Sequence, residues 1–215
     1  MSKQKPKSKS KPGSSAAEPQ FWLMKTEPGT FSIDDLQRKR REPWDGVRNP
    51  MASRYMREEM RVGDAVLFYH SNSEPSGVAG LARVASESYA DDTAFNPQSK
   101  YFDPRSKAES PRWMLVDVEF VEKFPAVLSL HTIKATPALD QMVLVRNSRL
   151  SVQPVRPDEY ELVVRMARAL DADANVKKSK SKKKAAAKPP TKKAAAKKQP
   201  AATKPVAKKK KKQSR

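Results

Sequence analysis

RWMLVDVEFVEKF, residues 112–124, alternates its large apolar side chains in steps of two. Met114, Val116, Val118 and Phe120 fall on one face, and Trp113, Leu115, Asp117 and Glu119 on the other. That period predicts a half-buried antiparallel strand. Upstream, DAVLFYH (64–70) and GVAGLARVASESY (77–89) read as further strands, and FWLM (21–24) as a short buried one closed by the turn signal Glu27-Pro28-Gly29. RLSVQPV (149–155) supplies a last strand.

Helical signals come at intervals between these strands. Ser32, followed by Asp34, Asp35 and Leu36, fits an N-capped short helix with acids in its first turn. Asn49-Pro50 opens a second helix, in which Ala52, Met56 and Met60 recur every four residues as core positions and Val62-Gly63 marks the end. PDEYELVVRMARAL (157–170) closes the domain as a helix. Strands in the middle, short helices between them and one helix at the end predict an α+β fold, a small curled sheet or partly open β-barrel flanked by short helices. Between the second and third of the alternating strands lies TAFNPQSKYFDPRSKAESP (93–111), a length of loop that is usually functional or mobile.

The charge is unevenly placed. Residues 1–20 hold five lysines and one acid, and residues 176–215 hold eighteen Lys or Arg and no acid; against a total of +20 this leaves residues 21–175 at −2. The sequence therefore predicts a nearly neutral domain, 21–172, between a disordered basic arm (1–20) and a disordered Lys/Ala/Pro-rich tail (173–215). The tail resembles those of linker histones and bacterial histone-like proteins, and its Lys182, Lys183, Lys184, Lys208, Lys209 and Lys210 are candidates for nucleic-acid backbone contacts. With no cysteine, disulfides, thiolate metal sites and thiol catalysis are excluded; only two histidines, His70 and His131, argue against a multi-histidine metal site, and neither metal nor cofactor is expected. No apolar run approaches the length of a membrane span, so the expectation is a soluble, intracellular monomer.

WDGVRN, Trp44 to Asn49, mixes residue types that no core requires. Asp45-Gly46 is a strong turn dipeptide, which presents Trp44 at the edge of a loop, and Arg48 and Asn49 stand where a helix begins. An indole face, a guanidinium and helix-start amides together suit a flat, polar, partly anionic group such as a nucleotide base with its phosphate. The structural alternative is a tryptophan lid on the core, an Asp45–Arg48 ion pair and an asparagine that only caps.

FWLMKTEP, FSIDDL, WDGVRN, VGDAVLFYHSN, TAFNP with YFDP, PRWMLVDV and RLSVQPV occur in this order over residues 21 to about 170. In that order they resemble the successive motifs of EVE-domain proteins of the PUA-like group, of the thymocyte nuclear protein type. The resemblance implies a curled sheet with a ligand pocket, a function in reading modified bases in DNA, chiefly modified cytosines, and a pocket wall made by Lys25, Thr26, Glu27, Trp44, Arg48, Asn49, His70, Ser71 and Asn72. In that pocket Trp44 would stack on the base, Asn72 and Thr26 would meet its pairing edge, and Arg48 would hold a phosphate or carbonyl oxygen. Two departures stand out: Pro50-Met51-Ala52-Ser53 replaces the aromatic and polar run of many relatives, and Thr26 replaces a serine.

Four functions remain open on the sequence. The first is a non-enzymatic modified-base reader with DNA ahead of RNA as partner; the others are a histone-like packing protein acting through its tails, a hydrolase of modified bases, and an RNA-binding module. No nucleophile elbow, metal-ligand spacing or phosphate loop supports catalysis. The expected location is cytoplasmic and nucleoid-associated in a bacterium, nuclear in a eukaryote.

Overall fold

The computed structural model describes residues 19–170. The expectations for the arms, including the six tail lysines, lie outside the described residues. Among the described residues eight strands are present: β1 (Phe21–Thr26), β2 (Arg41–Pro43), β3 (Ala65–His70), β4 (Gly77–Val84), β5 (Tyr89–Ala90), β6 (Met114–Leu115), β7 (Asp117–Ser129) and β8 (Val152–Val155). Six form one curled half-barrel sheet in the order β2-β7-β4-β3-β1-β8, and β5 with β6 form a separate ribbon. Short helices α1 (Ile33–Lys39), α2 (Pro50–Arg54), α3 (Leu130–Lys134) and α4 (Val143–Arg146) flank the sheet, followed by α5 over residues 157–170.

The run FWLM is continuously apolar because β1 is covered on both faces. Trp22 and Met24 point into a core with Ile33, Leu36, Trp44, Met56 and Phe68, whereas Leu23 points into a second core with Leu67, Phe124, Ile133 and Val163. Each of the largest of these side chains stabilises the fold by about 1.5–3 kcal/mol through burial. The one polar group of Trp22 is satisfied: its indole N–H donates to Asp64 Oδ2 at 2.9 Å, and the same buried carboxylate accepts from the backbone of Gln20 and Arg61.

β1 and β3 are parallel neighbours, so the chain between them must cross over. α1, β2 and α2 make that crossover. Ser32 caps α1 in a reciprocal box with Asp35, as the serine and acids predict. Asn49 caps α2, which runs on into a single π-helical turn, Tyr55–Glu59, and thereby brings Met56 and Met60 into the core. Register shifts in the β3–β4 and β4–β7 pairings curl the sheet. Gly77 and Gly80 lie against the backbone carbonyls of Leu128 and Glu122, where a side chain would collide.

The strand expected over 112–124 is two strands. Met114 and Leu115 pair with Ala90 and Tyr89, and the chain then switches sheets, so Leu115 and Val116 are both buried and the alternation breaks there. β7 continues past Phe124 to Ser129. The stretch expected as one strand over 77–89 likewise splits between β4 and β5. Segment 130–147, without an assignment from sequence, forms α3, a 3-10 turn and α4, and contributes Ile133, Leu139, Met142 and Leu144 to the second core.

Candidate functional site

Because β1 and β3 run parallel and in register, with Thr26 opposite His70, their carboxyl ends arrive together at one edge of the sheet. The Ser71 amide donates to the Thr26 carbonyl at 2.8 Å, and the Ser71 hydroxyl donates to the same oxygen at 3.1 Å. The following residues, Glu27 and Asn72, meet side chain to side chain: Asn72 Nδ2 donates to Glu27 Oε1 at 3.1 Å. Asn72 sits at φ +55°, a left-handed conformation that asparagine tolerates better than most residues. These residues floor an open groove of about 760 Å³ whose walls include Trp44, Tyr101, Lys100, Phe31 and Ser148.

One wall is WDGVRN. The Trp44 amide donates to the Val116 carbonyl at 2.9 Å, and the indole meets Phe68 edge-on, with centroids 5.5 Å apart. Trp44 is 7% exposed, so it backs the groove from the core side rather than standing out at a loop edge. Gly46 turns the chain at φ +72°, and the Tyr101 ring packs against it so closely that an added Cβ would lie 2.5 Å from the ring.

Arg48 fastens this wall to the long loop. Its Nε donates to the Tyr101 carbonyl at 2.7 Å, Nη1 to Asp91 Oδ2 at 2.7 Å and to the Val47 carbonyl, and Nη2 to Thr93 Oγ1 at 3.0 Å. The guanidinium also lies 5.5 Å from the ring centroids of both Tyr101 and Trp113. Four of its five N–H groups are thus spent inside the protein. The ion pair expected as an alternative, Asp45 with Arg48, is instead Asp91 with Arg48. Burial pulls the Asp91 carboxyl upward, but bonds from Arg48, Thr93 and the Gly46 amide outweigh it and hold the group below the ordinary carboxylate value. Trp113 is buried and donates its indole N–H to Asp103, as a core tryptophan.

The opposite wall comes from the segment before β8. Lys25 Nζ donates to the Ser148 carbonyl at 2.8 Å and lies 5.5 Å from the Tyr69 ring centroid. Burial lowers the Lys25 pKa below the usual lysine value. Asp45 stands exposed on the groove with its pKa raised, first by desolvation and then by the charges of Asp91 and Glu42.

Of the nine expected pocket residues, Lys25, Thr26, Glu27, Trp44, Arg48, Ser71 and Asn72 line the groove, whereas Asn49 and His70 do not. Asn49 is occupied as a cap, its Oδ1 accepting from the amides of Met51 and Ala52 at 2.9 and 3.1 Å. His70 points beneath the sheet edge, where its Nε2 accepts from the Ile33 amide at 3.1 Å. Its pKa is lowered, chiefly by burial. Tyr101, Lys100, Ser148 and Arg149 line the groove without having been singled out from sequence. The YFDP motif and the length of its loop pointed to the first two; no signal pointed to the others.

Against known proteins, the family model of the EVE domain matches residues 20–166. Thymocyte nuclear protein 1 of Danio rerio is 40% identical over 171 residues, 69% of this chain and 73% of that one. The human protein of the same name is 39% identical over 162 residues, 66% and 72% of the two chains. Among solved structures, a hypothetical protein from Leishmania major is 48% identical with a TM-score of 0.70, covering 72% of this chain and 98% of that one. Human THYN1 protein, crystallised in complex with 5-methylcytosine-containing DNA, is 36% identical with a TM-score of 0.65, covering 69% and 97%. The motifs in their order, the curled sheet and a family match over most of the described residues agree: this chain belongs to the EVE domain family.

Proposed function

We infer that this chain is a nucleic-acid-binding reader that accepts a single modified base, a modified cytosine in DNA, in the groove at the ends of β1 and β3. The observation that carries this reading is the likeness to human THYN1 protein, whose crystal structure contains 5-methylcytosine DNA. The groove suits the task. It joins aromatic surface from Trp44, Tyr101 and Phe31 to polar groups on Thr26, Glu27, Ser71 and Asn72, the mixture needed to hold a base out of its stack by its faces and its pairing edge. A domain spanning 21–172 with almost no net charge suits that task better than tracking a phosphate backbone.

Sequence-blind affinity is assigned to the arms, 1–20 and 173–215, whose lysines release counterions from DNA. Held there, the domain samples bases at high local concentration. The function proposed is non-enzymatic: of the groups that could activate water, His70 is engaged by Ile33, Asp91 by Arg48 and Glu27 by Asn72. The corresponding location is on DNA, nuclear in a eukaryote and nucleoid-associated in a bacterium.

The test is binding of the full chain to matched duplexes carrying plain, methylated or hydroxymethylated cytosine. A preference among them is expected, lost in Tyr101→Ala and weakened in Trp44→Phe, with thermal melts showing that both variants are folded. Equal affinity for all three duplexes, governed only by salt, would sink the reader and leave a packing protein that acts through its tails.

A further inference from the structure

We propose that Glu27, positioned by Asn72, reads the exocyclic amine of the bound base and so excludes thymine; this rests on the modified-cytosine reading above. The problem such a site faces is chemical. 5-Methylcytosine and thymine share the ring and the methyl group and differ at C4, amine against carbonyl, and at the N3 that follows from it. Stacking and methyl contacts cannot separate them. A site does so by presenting an acceptor that the amine satisfies and that the thymine O4 leaves desolvated and opposed.

Three carboxylates line the groove: Glu27, Glu42 and Asp45. Glu42 is engaged by Lys39 Nζ at 2.7 Å. Asp45 stands exposed and, among the described residues, makes no side-chain hydrogen bond that would fix its direction.

Glu27 is fixed twice. Its backbone carbonyl accepts from the amides of Thr30 and Phe31 at 2.8 and 2.9 Å, and its Oε1 accepts from Asn72. The Asn72 amide can face a carboxylate only with its nitrogen, so the direction of that bond is set. Asn72 is in turn held by a left-handed backbone directly after the Ser71–Thr26 bond that ties the ends of β1 and β3. Glu27 is exposed like Asp45, but one of its carboxylate oxygens is held by Asn72, so Oε2 is left as an acceptor whose direction that bond biases, a partial preorganisation of the base contact.

The experiment uses the full chain and duplexes identical except for one base opposite guanine: cytosine, 5-methylcytosine or thymine. The thymine mismatch opens more easily than the matched pair, which makes its rejection the harder outcome to obtain. The wild-type chain is expected to favour 5-methylcytosine over thymine by about tenfold or more. In Glu27→Gln the amide oxygen keeps the Asn72 bond and the amide nitrogen turns to the base, so the ratio falls to about one or inverts in favour of thymine. Asn72→Ala lowers the ratio less, and Glu161→Gln, exposed on α5 and not part of the groove, leaves it unchanged.

A wild-type ratio that persists in a folded Glu27→Gln chain overturns the proposal, as does a chain that prefers methylated to plain cytosine yet accepts thymine equally. In both of those cases the base-reading function survives. A wild-type chain indifferent to all three bases removes that function and this proposal together.

Discussion

The guanidinium of Arg48 and the carboxylate of Asp91 meet at 2.7 Å, across forty-three residues of sequence, and fasten the WDGVRN turn to the root of the long loop. Asp91 is 1% exposed and accepts from Gly46, Arg48 and Thr93. Two aromatic walls of the groove, Trp44 and Tyr101, are carried by the two segments so joined.

Asp91→Ala leaves the guanidinium without its counter-charge and is expected to cost about 3 kcal/mol. Urea denaturation checks this; a loss well under about 1 kcal/mol would mean that the loop is held elsewhere. Because the folded carboxyl titrates below its ordinary value of 3.8, the contribution is complete above that pH and disappears as pH falls through the folded value. The variant is therefore expected to show a shallower acid limb than the wild type.

Gly46→Ala meets two obstacles, a backbone at φ +72° and the Tyr101 ring. A cost of about 1–2 kcal/mol is expected. Combining it with Tyr101→Ala removes the collision but not the backbone strain, so in a double-mutant cycle the pair should cost less than the sum. Strict additivity would show that the ring does not rest on the turn.

Asn49→Ala removes a helix cap and is expected to cost about 1 kcal/mol while leaving the choice among bases untouched. A folded variant of normal stability whose preference changes would return Asn49 to the binding surface.

His70 accepts from Ile33 and so must stay neutral at Nε2. Its folded pKa lies below the unfolded value of 6.5, with burial the main cause. The unfolded chain then binds the proton first, so stability is full above about pH 6.5 and declines as the pH drops below it. His70→Gln keeps an acceptor for Ile33 and should flatten that decline between neutral and mildly acidic pH; an unchanged slope would place the titrating group elsewhere.

The sequence made the strands and caps legible where local chemistry decides them. Ser32 with Asp35 and Asn49 with Pro50 form the caps their types predict, and Ala52, Met56 and Met60 are buried at the predicted spacing. It left both readings open where a residue can serve either of two purposes. Trp44, Arg48, Asn49 and His70 have the chemistry of ligand groups, yet the partners that occupy the last three, Asp91, the α2 amides and Ile33, are set by tertiary placement. The break at Val116 was invisible because each half alternates correctly and only the change of sheet interrupts it. Ser148 and Arg149 enter the groove through the register of β8 on β1, a long-range pairing with no local signature.

The Lys25–Ser148 bond spans 123 residues, and β8 joins β1 as the outermost strand of the sheet. On the ribosome, therefore, the groove cannot exist until nearly all of the domain has been synthesised: strands β1, β3, β4 and β7 emerge first, and the far wall comes from the segment just before the last strand, which docks it on β1. Binding competence thus reports completion of the domain: a chain truncated before Ser148 would lack the residues of this side of the groove, and one truncated before Val152 would lack the strand that docks them on β1.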